Sequence, residues 1–157
     1  MSFRRFQILG MLLIALLAGC AGQPAPAPAP SEANRPPIPT PSSGATVVAG
    51  QAVGNTTQAP IKKTSVYLAK VYWDKDHKNA AFAVDLAHSP VTTTDQNGFF
   101  TFNLVEPSEY VLVVGDYYGN NEAVRDKNGD AQIYKPEAGK ALDVGVVQVS
   151  PSVTPAS

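Results

Sequence analysis

The sequence has few of the residue types that build reactive sites. Its 157 residues include one cysteine and two histidines. A single cysteine excludes an intramolecular disulfide, so an exported domain must rely on its core alone. It also excludes a cysteine-rich zinc site, and His77 and His88 are 11 positions apart in loop-like contexts. Neither histidine lies in a nucleophile motif such as G-x-S-x-G, so we expect no catalytic residue, no metal site, no cofactor and no enzyme activity.

An excess of positive charge is also missing. The chain has 12 basic and 13 acidic residues, and Arg4 and Arg5 are the only charged residues before position 20. Removal of a signal peptide containing these two arginines leaves 10 basic residues and a net charge of −3. This balance argues against a nucleic-acid partner, which needs a basic patch. It also argues against a polybasic contact with anionic lipid headgroups.

The N-terminus has the features of an export signal. Arg4 and Arg5 precede an apolar run from Ile8 to Leu17. This run is shorter than the roughly 20 apolar residues of a transmembrane helix and suits the h-region of a signal peptide. The run ends in Leu17-Ala18-Gly19-Cys20, which resembles the lipobox of bacterial lipoproteins residue for residue.

That resemblance implies cleavage of residues 1–19 and lipidation of Cys20 by a diacylglyceryl group and an acyl chain such as palmitate. Two or more acyl chains hold a protein stably on a membrane. We therefore expect an exported, membrane lipid-anchored protein, at the outer membrane if the cell is diderm or on the outer face of the cell membrane if it is monoderm. The alternatives are an uncleaved anchor helix, or an ordinary signal with an incidental cysteine.

Prolines dominate the segment after the signal. Residues 23–41 contain eight of the 14 prolines, including the alternation Pro24-Ala25-Pro26-Ala27-Pro28-Ala29-Pro30. Proline fixes φ and lacks an N–H, so residues 20–44 are predicted to form a linker. The linker is either an extended polyproline-like stalk or a disordered tether. It would precede one domain at residues 45–150 and a disordered tail at residues 151–157.

The domain has the pattern of an all-β protein. Several short runs are rich in β-branched and aromatic residues, as in a β-sandwich; they are residues 45–53, 64–73, 91–94, 99–104, 110–114 and 141–149. Residues 79–86 suit a helical turn or a strand equally well. Asp95-Gln96-Asn97-Gly98 predicts a β-hairpin between its flanking runs. Residues 64–73 alternate, and Lys70 on one face favours burial of the other, which carries Tyr67, Ala69, Val71 and Trp73.

Two stretches in this domain match a known family pattern. Residues 94–102 read TDQNGFFTF and residues 105–112 read VEPSEYVL. They resemble the T-D-x-x-G-x-F-x-F and x-P-G-x-Y-x-L motifs of carboxypeptidase regulatory-like domains. The resemblance implies a seven-stranded, transthyretin-like Greek-key β-sandwich. It implies a turn at Gly98 with positive φ, and core positions for Phe100, Phe102, Tyr110 and Leu112. Ser108 departs from the family glycine and puts the local turn geometry in question.

Two features remain as candidate binding sites. Residues 126–137 place oxygen-bearing side chains as an EF-hand calcium loop does, although Ala131 replaces the turn glycine. The alternative is a hairpin turn leading into a short strand at residues 132–134. The second feature is a set of aromatics near strand ends, which suits sugar or protein contacts: Tyr72, Trp73, Tyr117 and Tyr118. For Trp73, a position capping the core is the favoured interpretation.

The predicted function is therefore an interaction, binding or scaffold module at the cell envelope. Its partners would be the membrane, through the lipid anchor, and an unidentified protein or glycan. The alternative is an accessory subunit of an exported enzyme or envelope complex, with calcium or carbohydrate binding as further options. The interaction module and the accessory subunit differ in whether a protein partner co-purifies from solubilised membranes.

Overall fold

The domain consists of two β-sheets. The computed structural model describes residues 35–42 and 44–150, and this part of the chain contains no helix and therefore none that could span a membrane. Its nine strands, in chain order, are β1 (Thr46–Gly54), β2 (Ser65–Trp73), β3 (Ala80–Ala83), β4 (Val91–Thr93), β5 (Phe99–Val105), β6 (Tyr110–Gly115), β7 (Asn121–Ala123), β8 (Ile133–Tyr134) and β9 (Ala141–Val149). The all-β prediction is confirmed.

The predicted number of seven strands and the Greek-key order are not confirmed. The described residues form a three-stranded sheet with the order β5-β1-β9 and a six-stranded sheet built on the path β3-β2-β6-β7. Strand β4 also pairs with β2, and β8 also pairs with β6. Strands β3, β7 and β8 contain only two to four residues each. Segments this short follow their neighbours' pairing and have little periodicity of their own.

The main core lies between the two sheets. Val48, Phe100 and Phe102 of the smaller sheet pack in one buried cluster with Leu68 and Leu112 of the larger sheet. The rings of Phe100 and Phe102 meet edge to face with centroids 6.0 Å apart. The predicted core positions of both phenylalanines are thus confirmed.

Tyr110 closes the same core at the turn between β5 and β6. Its ring is buried, and its hydroxyl donates a hydrogen bond of 3.1 Å to the carbonyl oxygen of Glu106. Ser108, which lies in this turn, does not have a positive φ. The turn therefore has a form that does not require the family glycine.

The turn at Asp95–Gly98 is confirmed, but the predicted hairpin is wrong. Gly98 has φ +79°, and its N–H donates to the carbonyl oxygen of Asp95 at 3.2 Å. The strands on either side join different sheets, because β4 pairs with β2 and β5 pairs with β1. The N–H of Thr94 donates to the carbonyl oxygen of Thr64 at 2.9 Å, which holds β4 on the larger sheet. The turn is therefore a connection between sheets.

The prediction for the two faces of β2 was wrong in part. Val66 and Leu68, on the face of Lys70, are fully buried in the core between the sheets. Tyr67 and Val71 point the other way and belong to a second apolar cluster. Lys70 is exposed because it lies two residues beyond Leu68, the last residue of β2 in the main core. The lysine therefore marks the end of the core along the strand.

The end of the predicted linker contacts the domain. The Arg35 guanidinium forms an ion pair with the Asp143 carboxylate in β9, and Ile38 and Pro41 are half-buried. The lipobox with Cys20, all of residues 1–19, most of residues 20–44 and the tail 151–157 lie outside the described residues. Their predicted roles stay predictions.

Candidate functional site

The outer face of the six-stranded sheet carries a second apolar cluster. Side chains alternate between the faces of a strand, so the odd-numbered residues of β2 and β6 point away from the main core. Tyr67, Ala69, Val71, Val111 and Val113 are buried there, and every apolar side chain packed against them comes from the same sheet or its connections. The smaller sheet does not cover this face.

Two hollows run along this outer face. One has a volume of about 430 Å³ and reaches from Trp73 to Phe82, with Val71 and Val111 among its lining residues. The other has a volume of about 240 Å³ and reaches from Phe82 to Tyr117. Phe82 lines both hollows, so they form one continuous surface, which we call the outer groove. The groove has aromatic side chains at both ends and in the middle.

Three of the four aromatic side chains of the outer groove are accessible. Trp73 is 37% exposed, Phe82 41% and Tyr117 44%, whereas Tyr67 and the valines of β2 and β6 in the floor are buried. Trp73 belongs to neither core cluster, so the predicted core-capping position is wrong. Phe82 lies opposite Val71 in the register of β3 on β2, two residues along from Trp73. The edge strand β3 therefore supplies the central ring of the groove.

The indole of Trp73 is held in one orientation. Its Nε1–H donates to the Glu109 carboxylate, and the other oxygen of that carboxylate lies 2.5 Å from the Lys135 ammonium. The imidazole of His77 lies nearly parallel to the indole, with ring centroids 5.9 Å apart and an interplanar angle of 14°. The hydrogen bond from Lys135 and the one from the Trp73 indole both lower the pKa of Glu109, so the Glu109 carboxylate is ionised at neutral pH.

A tight turn holds His77 beside Trp73. The Asp74 carboxylate accepts hydrogen bonds from the backbone N–H groups of Lys78 at 2.8 Å and Asn79 at 3.1 Å. These bonds lower the pKa of Asp74. His77 has φ +53°, in the region that a side chain rarely adopts. The side chain of His77, in a loop as the sequence suggested, thus stacks on the indole of Trp73.

A second cleft lies on the opposite face of the sheet, beyond the end of the main core. It has a volume of about 480 Å³, and its mouth carries charged and polar side chains; they include Lys70, Tyr72, Asp85, His88 and Glu106. Nδ1 of His88 lies 2.7 Å from the Asp85 carboxylate, and both side chains are well exposed. The cleft combines the rings of Tyr72 and Tyr110 with charges of both signs, and it has no cluster of apolar side chains comparable to the outer groove.

The proposed calcium loop has the geometry of a hairpin turn. The Asp126 carboxylate accepts hydrogen bonds from the backbone N–H groups of Asn128 at 2.8 Å and Asp130 at 3.0 Å. Glu137, at the other end of the motif, pairs with Lys140 at 2.5 Å. Within residues 35–42 and 44–150, no three acidic or histidine side chains converge as metal ligands would. The loop leads into β8, as the alternative interpretation predicted.

Comparisons with known proteins give only distant likenesses. No protein-family model matches the chain, and no curated protein matches it. A candidate carbohydrate-binding protein from Pseudomonas aeruginosa is 14% identical with a TM-score of 0.44, and the match covers 71% of this chain and 92% of that one.

Two larger proteins match over smaller parts of their length. The pilus 2b backbone protein of group B streptococcus is 14% identical with a TM-score of 0.36, covering 69% of this chain and 42% of that one. A 9R-lipoxygenase from Cyanothece PCC8801 is 16% identical with a TM-score of 0.39, covering 68% of this chain and only 16% of that one. These similarities carry no functional argument, and the carboxypeptidase regulatory-like assignment stays a prediction.

Sequence reasoning found part of the outer groove. Trp73 and Tyr117 were among the candidate aromatics, and both line it. Tyr72 faces the second cleft instead, and Tyr118 is 94% exposed and lines neither hollow. Phe82 was recognised only as part of an ambiguous strand. No sequence signal connects Glu109 with Trp73, which lies 36 positions away.

Proposed function

We propose that this chain is an exported, lipid-anchored protein whose β-sandwich is a non-catalytic binding module of the cell envelope. The outer groove is the observation that carries the proposal. An apolar sheet face with three accessible aromatic rings suits contact with a ligand, since aromatic side chains bury large areas and lose little conformational entropy. The rings, the aliphatic floor and the fixed indole provide binding surface and no nucleophile.

Attachment to the membrane rests on the Cys20 motif. A thioether-linked diacylglycerol would give the mature N-terminus at least two acyl chains, and each buried CH₂ contributes about 0.8 kcal/mol. The proline-rich linker would then separate the sandwich from the lipid surface, and the groove would face the space beyond it. This arrangement suits a module that captures an envelope component.

Attachment is tested by expressing the full chain in a bacterial host and labelling with palmitate. The wild type and a linker variant, Ala25→Ser, should carry label and sediment with membranes. Cys20→Ala should carry no label and should accumulate as the precursor or be released. Equal label and equal membrane level for Cys20→Ala would contradict the proposal.

The binding role is tested with the purified, detergent-solubilised lipoprotein and isolated envelope fractions. The double variant Trp73→Ala, Phe82→Ala should lose co-sedimentation with the envelope, while Tyr72→Ala, in the second cleft, should retain it. Unchanged co-sedimentation of the double variant would contradict a role for the groove. Co-purification of one stoichiometric protein through the groove would favour the accessory-subunit alternative.

A further inference from the structure

The outer groove lies on the face of a sheet, which restricts what can occupy it. The floor of the groove is formed by β2 and β6, and each of these strands pairs with neighbours on both sides, as in the registers of Val71 with Phe82 and of Ala69 with Val111. An occupant therefore meets side chains only. A polypeptide strand lying there would find no ladder for its own N–H and C=O groups, and burying them unpaired costs several kcal/mol. The groove is thus poorly suited to an extended peptide.

The side chains along the groove combine rings with neutral and charged hydrogen-bonding groups. Lys78 and Asp130 line the larger hollow, and neither forms an ion pair among residues 35–42 and 44–150. Asp116 and Asn121 line the smaller hollow. Sugar rings match such a surface, because their C–H faces pack on aromatic rings while their hydroxyl edges donate and accept hydrogen bonds.

The charge of the groove favours an uncharged ligand. Lys78 and Asp130 balance each other in the larger hollow, and Glu109 is balanced by Lys135. Asp116 leaves at most one negative charge in the smaller hollow. A polyanion would meet no cluster of cations here, and a polycation would meet one carboxylate that no neighbouring cation balances.

The length of the groove favours a polymer. Tyr67 lies in the smaller hollow and Trp73 in the larger one, and the interval between them along β2 is six residue steps. At about 3.3 Å per residue this interval is roughly 20 Å. Three aromatic side chains follow one another along it, so the groove can contact several sugar rings in a row. One monosaccharide would leave most of this surface uncovered.

Trp73 is prepared for stacking before any ligand arrives. The Glu109 carboxylate and the His77 ring already fix the indole, so binding need not order it. We infer that the outer groove binds a segment of an extended, uncharged polysaccharide, with Trp73 as its main stacking platform and Glu109 as the residue that positions Trp73. This inference rests on the proposed binding function and assigns its ligand class.

The experiment uses the detergent-solubilised full-length lipoprotein and the fluorescence of Trp73, the only tryptophan of the chain. The probes are amylose, hydroxyethylcellulose, arabinoxylan and chitohexaose, with alginate as a polyanion and an extended Ser-Thr-rich peptide as a polypeptide control. At least one neutral glycan should shift the Trp73 emission and bind. Trp73→Phe and Phe82→Ala, followed by calorimetry, should each weaken that binding at least tenfold, while Tyr118→Ala should bind as the wild type does.

Two variants test the positioning role of Glu109. Glu109→Gln keeps an oxygen that can accept the indole N–H, whereas Glu109→Leu removes it. In the absence of glycan, Glu109→Leu should lower the emission anisotropy and weaken the near-ultraviolet circular dichroism of Trp73 at an unchanged melting temperature. It should also weaken glycan binding more than Glu109→Gln does. Weaker binding with an unchanged Trp73 signal would overturn the positioning role.

The outcomes separate the ligand class from the binding function. If no neutral glycan binds while envelope co-sedimentation still depends on Trp73 and Phe82, the polysaccharide inference is wrong and the binding module stands. Binding of alginate or of the peptide in preference to every neutral glycan also overturns the inference. If the wild type neither binds a neutral glycan nor co-sediments with the envelope, both the polysaccharide inference and the proposed binding function are wrong.

Discussion

Gly98 provides a sharp test of how the sequence determines this fold. Its φ is +79°, and a Cβ at this position would lie 2.4 Å from the carbonyl oxygen of Ala52. That oxygen accepts the N–H of Ile61 at 2.9 Å, and the N–H of Ala52 donates to the carbonyl oxygen of Gly98 at 2.8 Å. The contact is therefore with backbone that is hydrogen-bonded on both sides. Gly98→Ala cannot be accommodated by rotating a side chain.

The expected loss follows from three contributions. An L-residue in the left-handed region costs about 1–2 kcal/mol. Moving the backbone away from the new methyl group weakens the Ala52–Gly98 hydrogen bond, which contributes about 1 kcal/mol. Displacing packed neighbours costs about 1–3 kcal/mol more. Gly98→Ala should thus lower the free energy of unfolding by about 3–6 kcal/mol.

Gly129 supplies the matched control. Its φ is +89°, and a Cβ there would have no atom within 4 Å. Gly129→Ala should therefore cost only the backbone strain, about 1–2 kcal/mol. Urea unfolding followed by Trp73 emission and by far-ultraviolet circular dichroism measures both variants. If the two substitutions destabilise the domain equally, the contact with Ala52 has no energetic weight and the reasoning is refuted.

Three further perturbations test the core, the half-buried Tyr134 and the contact between the linker and the domain. Leu112 is fully buried in the main core, so Leu112→Ala should lower the free energy of unfolding by about 2–5 kcal/mol in urea titrations, and a loss below about 1 kcal/mol would contradict its core position. Burial raises the pKa of Tyr134 to about 12, above the usual value of about 10, so its contribution to stability is complete below pH 10 and is lost as the pH rises toward 12. Tyr134→Phe should reduce this alkaline loss in melting experiments between pH 9 and pH 12, and an unchanged loss would show that other groups cause it. The hydrogen bond from Arg35 lowers the pKa of Asp143 below its usual value of 3.8, so Asp143→Asn should cost less than about 1 kcal/mol at pH 7. The difference from the wild type should shrink as the pH falls through the lowered pKa, because the wild-type carboxylate is then protonated too, and a difference that stays constant throughout an acid titration would contradict this origin.

Local patterns in the sequence predicted the parts of the fold that depend on neighbouring residues. The Asn97-Gly98 turn has the expected positive φ because only glycine adopts it freely. Phe100 and Phe102 share a face because side chains alternate along a strand, and both lie in the core. These features need only the geometry of a few consecutive residues.

The predictions that were wrong concern features that depend on contacts between distant segments of the chain. The hairpin at Asp95–Gly98 was wrong because β4 and β5 pair with strands outside the local sequence. The exposed Lys70 suggested the wrong face of β2 because the sequence does not reveal how far the smaller sheet extends over the larger one. Glu109 and Trp73 form one unit only after β2 and β6 pair. The outer groove could therefore be found in part, through its aromatics, while its shape could not.

The central place of β1 has a mechanical consequence. The segment that follows the proline-rich linker enters the domain directly as β1, and β1 has neighbours on both sides, antiparallel to β5 and parallel to β9. A load applied along β1 would meet hydrogen bonds to both neighbours at once, whereas a strand with one neighbour has a single ladder to resist it. The domain is therefore joined to the predicted linker through a strand that is held on both sides, which would suit the proposed binding module if its ligand were pulled away from the membrane.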